Sequence, residues 1–456
     1  MTAVATRDEV LAALTAELPP DAVIVDPDVV DSYRFDRAST VVPGTPVALV
    51  RPTSTADVQA TMRVASRLRV PVVVRGAGTG LSGGSTAIDG AITLSTERLR
   101  TLTITPAAMT ATVGPGLLNA EVKAAAREHG LWYPPDPSSF EICSIGGNLA
   151  TNAGGLCCVK YGVTTDYVLG LEVVLADGRA LRLGGSTIKD VTGYDLKRLF
   201  VGSEGTLGVI TEATLRLRPL PPPATTTAAT FADVTAAGRA VTAIMREVRP
   251  AVLELMDSAA IAAVERVTPM GFGPEVGALL IAQTDGGGDE AKVVAAACEA
   301  ADAIYVAVTD DEVEAALLMG ARRMAITCVE RLGSVLIEDV GVPIPRIPEL
   351  VAAVAEVAAR RATLIPVIGH AGDGNFHPLV TFDASDPDAT ARAEAAFDDI
   401  MDIARRLGGT VTGEHGVGTL KVRHAHEQLG PDVMDITRRV KQALDPLGIL
   451  NPGKWV

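Results

Sequence analysis

Short apolar runs separated by glycine-rich turns dominate residues 42 to 219. These runs are strand-sized and rich in β-branched residues: PVALVRP, VPVVVRGAGTG, GAITLST, ATVGPG, LGLEVVLADG and LGVITEATLRLRP. A proline cluster, Leu220 to Pro223, follows and predicts a stiff boundary. The pattern indicates a domain rich in β-strands that ends near residue 220.

From residue 224 to about 390, strand-length and helix-length apolar patterns alternate: TTTAATF, VTAAGRAVTAIMREV, AVLELM, AAIAAVERV, GALLIAQTD, EAKVVAAACEAA and AIYVAVTD. We expect an α+β cap domain whose helices cover one face of a sheet. Two further helices are predicted, over residues 391–407, before the C-cap signal Gly408-Gly409, and over residues 431–444. The predicted division is an N-terminal helical segment (1–41), a first domain (42–220), a cap (221–410) and a C-terminal segment (411–456).

Composition narrows the class of protein. A chain of 456 residues, 48% hydrophobic and 4% aromatic, is typical of a globular protein with two or three domains. A net charge of −15 without a basic cluster argues against nucleic-acid binding. Five cysteines without metal or redox spacing indicate reduced intracellular thiols. No secretion signal or membrane-spanning run is evident, so we expect a cytoplasmic protein, with peripheral contact at the inner membrane face left open.

A glycine loop follows the apolar run PVVVRG. Residues 78–83, GTGLSG, match the dinucleotide-binding pattern G-x-G-x-x-G. A Rossmann unit needs a helix before its next strand, and only seven residues, 84–90, separate this loop from AITLST, so that interpretation fails. The Lys-Ser/Thr ending of a P-loop is also missing. Either the loop cradles a pyrophosphate with its backbone amides, or it is an ordinary surface turn.

Further motifs follow this loop in order: PPDPSS, SIGGNLATNAGG, KYG and IKDVTGYDLKRLFVGSEGTLGVIT. Together they resemble the FAD domain of the vanillyl-alcohol oxidase superfamily, known as the PCMH-type domain. The resemblance implies an α+β fold: an FAD domain of two α+β subdomains, a cap with a mainly antiparallel sheet, and a helical C-terminal segment that returns to the FAD domain. It implies non-covalent FAD, because the loop lacks the histidine that tethers flavin in some relatives.

The same resemblance implies the residues that contact FAD. The pyrophosphate would be lined by the loop from Arg75 to Gly84, which includes Gly76, Ala77, Gly78, Thr79, Gly80, Leu81 and Ser82. The ribityl chain and ring would be flanked by Pro135, Asp136, Ser144, Gly146, Gly147, Asn152, Gly154 and Gly155, with Tyr161 also near the cofactor. The remaining implied contacts are Glu204, Gly205 and Ile210, by the adenosine half or the ring, and Asn451 near the flavin.

Five of the six histidines lie between residues 370 and 426. IPVIGHAGDGNFHPLV places His370 and His377 seven apart, and GEHGVG places Glu414 beside His415. Two imidazoles and one carboxylate form a three-ligand set that leaves coordination positions open, so we predict a divalent metal on His370, His377 and Glu414. Zinc is favoured and manganese is compatible. Considered one at a time, each of these three residues is better explained as an ordinary hydrogen-bonded or solvated side chain than as a metal ligand. His424 and His426, in KVRHAHEQLG, are expected at the surface.

In combination, HAGDGNFH and GEHG resemble the D-lactate, glycolate and D-2-hydroxyglutarate dehydrogenase branch of that superfamily. The resemblance implies that His415 takes the substrate hydroxyl proton, that Asn375 binds the substrate by a hydrogen bond, and that Arg322 binds its carboxylate. Oxidation of an alcohol must remove a proton from oxygen and a hydride from carbon, so we expect the metal to chelate the substrate and C2 to pass hydride to flavin N5. Glu414 and His415 are expected to point in opposite directions, as in an extended segment. Asp373 is expected to form the turn between the two metal histidines.

The expected substrate is D-lactate or another small D-2-hydroxy monoacid. Diacid-oxidising relatives carry Trp, Thr and Lys where this chain has Leu318 or Met319, Ile326 and Ile337, so recognition of a second carboxylate is in doubt. The alternatives are D-2-hydroxyglutarate dehydrogenase, a glycolate-oxidising subunit of a larger complex, and a catalytically silent flavin- or metal-binding subunit. The electron acceptor is expected to be a quinone, a cytochrome or an electron-transfer flavoprotein, and a homodimer is compatible with the sequence.

Overall fold

The computed structural model describes residues 5 to 456. The helices are α1 (Arg7–Glu17), α2 (Pro27–Asp31), α3 (Thr55–Leu68), α4 (Asn119–Arg127), α5 (Ile145–Thr151), α6 (Cys158–Tyr161), α7 (Lys197–Phe200), α8 (Val234–Glu247), α9 (Ser258–Glu265), α10 (Gly288–Ala300), α11 (Glu312–Glu330), α12 (Ile347–Arg361), α13 (Pro387–Arg406) and α14 (Val422–Leu444).

The strands are β1 (Val23–Ile24), β2 (Ala48–Val50), β3 (Val72–Arg75), β4 (Ile92–Ser95), β5 (Leu102–Thr105), β6 (Thr110–Val113), β7 (Leu131–Trp132), β8 (Val168–Val174), β9 (Ala180–Gly184), β10 (Val209–Arg216), β11 (Arg218–Pro219), β12 (Thr225–Phe231), β13 (Val252–Asp257), β14 (Ala278–Thr284), β15 (Tyr305–Thr309), β16 (Ser334–Ile337), β17 (Val340–Gly341), β18 (Val367–His370) and β19 (Asn375–Phe382).

The chain forms two compact units. The first contains the residues up to Gly154, Val163–Leu220 and Glu414–Val456, and the second contains Gly155–Gly162 and Pro221–Gly413. We call them the loop unit, after its glycine loop, and the cap unit.

The loop unit holds two main sheets. One has the strand order β1-β2-β4-β3, with β2, β4 and β3 parallel, and the other has the order β5-β6-β10-β8-β9 and is antiparallel. Each sheet has its own apolar core, one formed with α1 and α3 and the other with α4 and α5. Two sheets with separate cores confirm the predicted FAD-domain fold of two α+β subdomains.

Local sequence explains how α3 forms and where it packs. Ser54 caps its first turn by accepting the Asp57 amide, and the Asp57 carboxylate accepts the Ser54 amide in return. Apolar residues at helical spacing, including Val58 and Met62, are completely buried in the core. Burial of each such side chain contributes roughly 1.5 to 3 kcal/mol, which outweighs the weak intrinsic stability of an isolated helix of this length.

The cap unit is built on one antiparallel sheet. Its strands follow the order β15-β12-β14-β13-β18-β19-β16, and β17 also pairs with β19. The predicted antiparallel cap is confirmed. Every residue of β12 is buried, because α8 and α10 pack on this sheet. The adjacent strands β13, β18 and β19 bring Glu254 opposite His370 and His370 opposite Asn375, which places the candidate site in the sheet.

Three details differ from the sequence expectations. The segment before residue 42 is not purely helical, because β1 pairs with β2 and extends the first sheet. Residues 155–162, expected in the first domain, belong to the cap unit. The predicted helix over residues 431–444 is preceded by a helical segment that the sequence did not predict, because α14 begins at Val422 and is broken at Gly430, where φ is +74° and Pro431 follows. Within residues 5 to 456, no helix has the length and apolar character that crossing a membrane requires.

Candidate active site

The glycine loop joins two parallel neighbours, β3 and β4, without an intervening helix. Ser144, the N-cap of α5, accepts both the Gly147 amide and the Ala77 amide, and so ties the loop to α5. Gly78 has a φ of +74°, and a Cβ there would lie 2.1 Å from the Arg75 guanidinium. This position therefore needs glycine both for its backbone conformation and for the packing of Arg75.

The amides of the loop fit a pyrophosphate. Within residues 5 to 456, the five consecutive amides of residues 78–82 donate to no protein acceptor. Consecutive backbone amides in a turn form a concave anion site that a diphosphate can satisfy. The loop therefore fits the FAD pyrophosphate that the resemblance implied. Arg75 instead donates to the Phe35 carbonyl at 2.8 Å and lies over the Tyr33 ring.

Several other residues implied in FAD binding already have hydrogen-bond partners within the protein. Asn152 ends α5 in the left-handed conformation, and its Oδ1 accepts the Thr165 amide at 2.8 Å. The Pro135 carbonyl accepts the Asn119 side-chain amide. Tyr161 belongs to the cap unit, where its hydroxyl donates to Asp285. These contacts shape the loop unit and the cap unit, and the implied FAD contacts of these residues stay predictions.

The C-terminal tail returns to the first sheet, because the Asn451 amide donates to the Val72 carbonyl. The Asn451 side chain donates to the carbonyls of Gly84 and Glu204, at 2.9 and 2.7 Å. Lys454, which is buried, donates from Nζ to the carbonyls of Gly83 and Thr86. Burial lowers the pKa of Lys454. The tail thus holds the end of the glycine loop.

In the cap unit, His370 ends β18 and His377 lies in β19, and a tight turn joins the two strands. The Asp373 carboxylate accepts the Asn375 amide in this turn, which confirms its predicted role. The two imidazole rings are 5.2 Å apart, and each residue is 3% exposed. This turn therefore brings both predicted metal histidines together in the sheet.

The Nδ1 atoms of both rings already have acceptors. His370 Nδ1 donates to Glu254 Oε1 at 2.6 Å, and His377 Nδ1 donates to the Glu338 carbonyl at 3.2 Å. A ring whose Nδ1 carries the proton presents Nε2 as the basic ligand atom. Two buried imidazoles held in this tautomer fit the divalent metal that the sequence predicts.

Glu254 also pairs with Arg322. Arg322 Nη2 lies 2.6 Å from Glu254 Oε2, as an ion pair without hydrogen-bond geometry, and the residues are 2% and 0% exposed. Burial alone would raise the pKa of Glu254, but the charge of Arg322 and then His370 hold this pKa below its usual range. The sequence assigned Arg322 to the substrate alone, and the structure gives it a protein carboxylate as a partner.

Arg322 nevertheless keeps an unused donor. Among the described residues, its Nε finds no hydrogen-bond acceptor, whereas its Nη2 is held by the ion pair with Glu254. A buried guanidinium with an unsatisfied donor fits an anionic ligand, because such a donor is costly to leave unpaired. Arg323 is exposed on the same helix, so the structure does not bring it inward beside Arg322.

Asp339, which follows β16, is a second buried carboxylate that the sequence reasoning did not assign. It accepts Asn375 Nδ2 at 2.9 Å, the Thr412 hydroxyl at 2.7 Å and the Gly413 amide at 2.9 Å. The amide of Asn375, predicted to bind substrate, is therefore engaged by Asp339 and by the Val340 carbonyl.

A recognisable signal accompanied both missed acids. Glu254 lies inside the apolar run AVLELM, and Asp339 comes two residues after the apolar run VLI; a carboxylate in or beside such a run requires a partner if it is buried.

Glu414 and His415 open the last part of the loop unit, directly after Gly413 in the chain. His415 Nε2 lies 3.7 Å from Glu414 Oε1. The expectation that these side chains point in opposite directions was therefore wrong. The segment is not an extended strand, and Gly416 bends it with a φ of +84°.

His424 is buried, contrary to the surface position expected from the sequence. It lies in the first part of α14, and His426 bonds the Trp455 carbonyl at 2.8 Å, so the C-terminal tail folds against this helix. The five cysteines are free thiols, as expected.

Comparison with known proteins gives the family. The family model for the C-terminal domain of FAD linked oxidases matches residues 220–455, and the model for an FAD binding domain matches residues 46–184. The chain is 41% identical to glycolate oxidase subunit GlcD of Bacillus subtilis, over 92% of this chain and 91% of the relative. It is 36% identical to D-lactate dehydrogenase of Archaeoglobus fulgidus, over 93% of this chain and 96% of the relative.

A solved structure shows the same fold at low identity. Substrate-bound p-cresol methylhydroxylase aligns with a TM-score of 0.82 and 18% identity, over 98% of this chain and 96% of that chain. The matched family models and the similarity to both relatives along almost their whole length show that the chain belongs to the FAD linked oxidase family and is an FAD-dependent oxidoreductase.

Proposed function

We propose that the protein oxidises a small D-2-hydroxy acid, D-lactate in preference, to the corresponding 2-oxo acid, with a divalent metal at the histidine pair. The observation that carries the proposal is the buried trio of His370, Glu254 and Arg322. In this trio, His370 is held in the tautomer that presents Nε2 as a ligand atom, and the guanidinium of Arg322 on α11 keeps an Nε donor without an acceptor. The names of the two relatives, a glycolate oxidase subunit and a D-lactate dehydrogenase, support a small 2-hydroxy acid.

FAD and a divalent metal would supply the chemistry that protein side chains lack. Bound FAD accepts two electrons and the C2 hydrogen as hydride, and a bound divalent metal acts as a Lewis acid toward the C2 hydroxyl. The chain would hold FAD with the glycine loop and the metal with His370, His377 and Glu414.

The remaining tasks fall to the side chains. We assign the substrate carboxylate to Arg322, because its Nε has no acceptor in the protein and its planar guanidinium suits a carboxylate. We assign the hydroxyl proton to the imidazole of His415, a general base whose usual pKa lies near neutral pH. Asn375, fixed by Asp339, is assigned to orient the substrate.

Apolar residues near Arg322 support a monoacid over a diacid. Ile326 follows Arg322 by one helical turn of α11, and Ile337 ends β16. Both pack in the same apolar cluster. A second carboxylate among them would be buried without a partner, at a cost of several kcal/mol. The methyl group of D-lactate gains from such surroundings roughly 0.8 kcal/mol over glycolate.

Anaerobic mixing of the FAD-loaded protein with D-lactate, L-lactate, glycolate and D-2-hydroxyglutarate tests the proposal. We expect D-lactate to bleach the flavin fastest. Ile337→Lys should raise the ratio of D-2-hydroxyglutarate to D-lactate turnover by roughly tenfold or more, equivalent to about 1.4 kcal/mol. Ile337→Met, of similar length but uncharged, is the control and should leave the ratio unchanged. A wild-type preference for D-2-hydroxyglutarate would refute the substrate assignment, and no bleaching by any of the acids would refute the function.

A further inference from the structure

The segment that carries His415 is bonded to the glycine loop within the loop unit. The Ser82 hydroxyl lies within hydrogen-bond distance of the carbonyls of His415 and Gly416, at 3.3 and 2.9 Å. In return, the Thr419 amide donates to the Ser82 carbonyl at 2.7 Å, and the Thr419 hydroxyl donates to the Gly83 carbonyl. The two segments are more than 300 residues apart in sequence and share a set of backbone hydrogen bonds.

Glu204 contributes a carboxylate to these contacts. Its Oε1 accepts the Val417 amide at 2.8 Å, and its Oε2 accepts the Gly418 amide at 2.8 Å. Both oxygens therefore bind consecutive amides two and three residues after His415. This is the geometry in which one carboxylate fixes a bend of the backbone.

Two neighbouring glycines leave room for the Glu204 carboxylate. A Cβ on Gly416 would lie 3.0 Å from the Glu204 carboxylate, and one on Gly84 would lie 3.3 Å from Oε2. Glu204 itself has a φ of +50°, a conformation that costs a non-glycine residue about 1 kcal/mol or more. Its own amide and carbonyl are bonded to Ala150 and Asn451, so the neighbouring structure holds this conformation.

We propose that Glu204 is a positioning residue for His415, which holds the base-bearing segment by its two amides instead of binding the cofactor. The inference rests on the proposed role of His415. It changes the assignment that the family resemblance implied for Glu204, since both carboxylate oxygens are used by residues 417 and 418. Through Ser82 and Gly83, the loop assigned to the pyrophosphate is bonded to the segment that carries the base.

Ionisation of Glu204 sets the conditions for the test. Burial raises the pKa of Glu204 to about 7, although the amides of Val417 and Gly418 and the charges of Lys421 and Lys454 act in the opposite direction. Measurement at about pH 8 keeps the group a carboxylate that accepts both amides. In Glu204→Gln, one oxygen is replaced by a donor that faces an amide N–H, so one of the two bonds is lost.

The experiment compares FAD-loaded wild type, Glu204→Gln and Ser82→Ala. Glu172→Gln is the control, since Glu172 is a half-buried carboxylate in β8 of the same unit that accepts hydroxyls of Thr55 and Thr211. Three quantities are measured: amide hydrogen exchange in the peptide spanning residues 414–421, bound FAD per chain, and kcat and KM for D-lactate.

For Glu204→Gln we expect faster exchange in this peptide and a fall in kcat of roughly 10- to 100-fold, as for a misplaced catalytic group, with KM within about threefold of wild type. Bound FAD should be unchanged. Ser82→Ala, which removes a weaker contact to the same segment, should change exchange and kcat in the same direction by less. Glu172→Gln should change neither.

Loss of FAD with normal exchange would overturn the proposal and make Glu204 a cofactor contact. Faster exchange with unchanged kcat, or lower kcat with unchanged exchange, would also overturn it. The proposed function fails separately, if wild type is reduced by no 2-hydroxy acid. The exchange comparison would then still decide whether Glu204 holds the segment.

Discussion

At the scale of single residues, Glu254 connects the two functions assigned to the cap unit. One of its oxygens holds His370 in the tautomer that presents Nε2, and the other pairs with Arg322. All three side chains are buried, so each charge depends on the others. A carboxylate behind a ligand histidine also raises the basicity of the ligand nitrogen.

Glu254→Gln should weaken metal binding by roughly 10- to 100-fold, because the amide no longer supports His370 as an anionic acceptor. It should also lower the Tm, since Arg322 is left as an unpaired buried charge. Metal content after dialysis and thermal unfolding measure the two effects.

The double variant Glu254→Gln/Arg322→Met separates these effects. Removal of both charges should restore part of the Tm and leave metal affinity low. Glu265→Gln, which alters a carboxylate bonded to loop amides in the same unit, is the control and should keep its metal. Full metal affinity in Glu254→Gln would contradict the assignment.

Glu204 should make stability depend on pH. Because its pKa is raised to about 7 in the folded protein, from 4.5, its contribution to stability is fully present below about pH 4.5 and is lost as the pH rises through 7. The loss amounts to roughly 3 kcal/mol. The fall in Tm between about pH 5 and pH 8 should therefore be smaller in Glu204→Gln than in wild type. Equal falls in both proteins would show that Glu204 does not titrate in this range.

At the scale of elements, the C-terminal tail acts as a clamp on the glycine loop. Ile449 to Lys454 follow α14, run beside β3 through the bond from Asn451 to Val72, and place Lys454 against the loop carbonyls. The tail donates hydrogen bonds to backbone carbonyls within residues 83 to 86. The amides of residues 78–82 therefore stay available to bind an anion.

Lys454→Met should weaken FAD binding about tenfold, because the carbonyls of Gly83 and Thr86 lose a buried donor and the loop loosens. Fluorescence titration of the FAD-depleted protein with FAD measures the affinity. The control, Lys292→Met, removes a lysine that is exposed on α10 and should bind FAD as wild type does. An unchanged affinity in Lys454→Met would show that the clamp is not required.

At the scale of the whole molecule, the groups assigned to FAD and those assigned to the metal lie largely in different units. The glycine loop and tail belong to the loop unit, and His370 and His377 belong to the cap unit. Each unit has its own sheets and apolar cores. Loss of one bound group therefore need not remove the other.

Chelation should abolish flavin reduction by D-lactate and leave the ratio of FAD to protein unchanged. The measurement combines metal analysis, the flavin spectrum and anaerobic reduction before and after chelation, with restoration by added zinc or manganese. Acid precipitation of the same samples should release all flavin, as expected for non-covalent binding. Activity that survives complete metal removal, or flavin that leaves with the metal, would contradict this picture.

Much of the fold followed from local pattern. Strand-length runs, proline and glycine boundaries, and helical spacing predicted β3, β12 and α8, because these signals act within a few residues, whereas the antiparallel sheet of the cap followed from the family resemblance. The glycine loop and the pair His370 and His377 were also recognisable, since each depends on short spacing around one turn. The order of the motifs from the glycine loop to the C-terminal tail identified the family that the chain resembles.

The tertiary structure alone decided the partners of buried charged and polar groups. Glu254 and His370 are 116 residues apart, Glu204 and Val417 are 213 apart, and Tyr161 meets Asp285 across 124. No spacing rule links such positions. Arg322, Asn375 and His424 looked available or exposed in the sequence and are buried or engaged in the structure. A buried polar group must find a partner wherever the fold supplies one, so its role is set by the packing of distant strands and not by its neighbours in the chain.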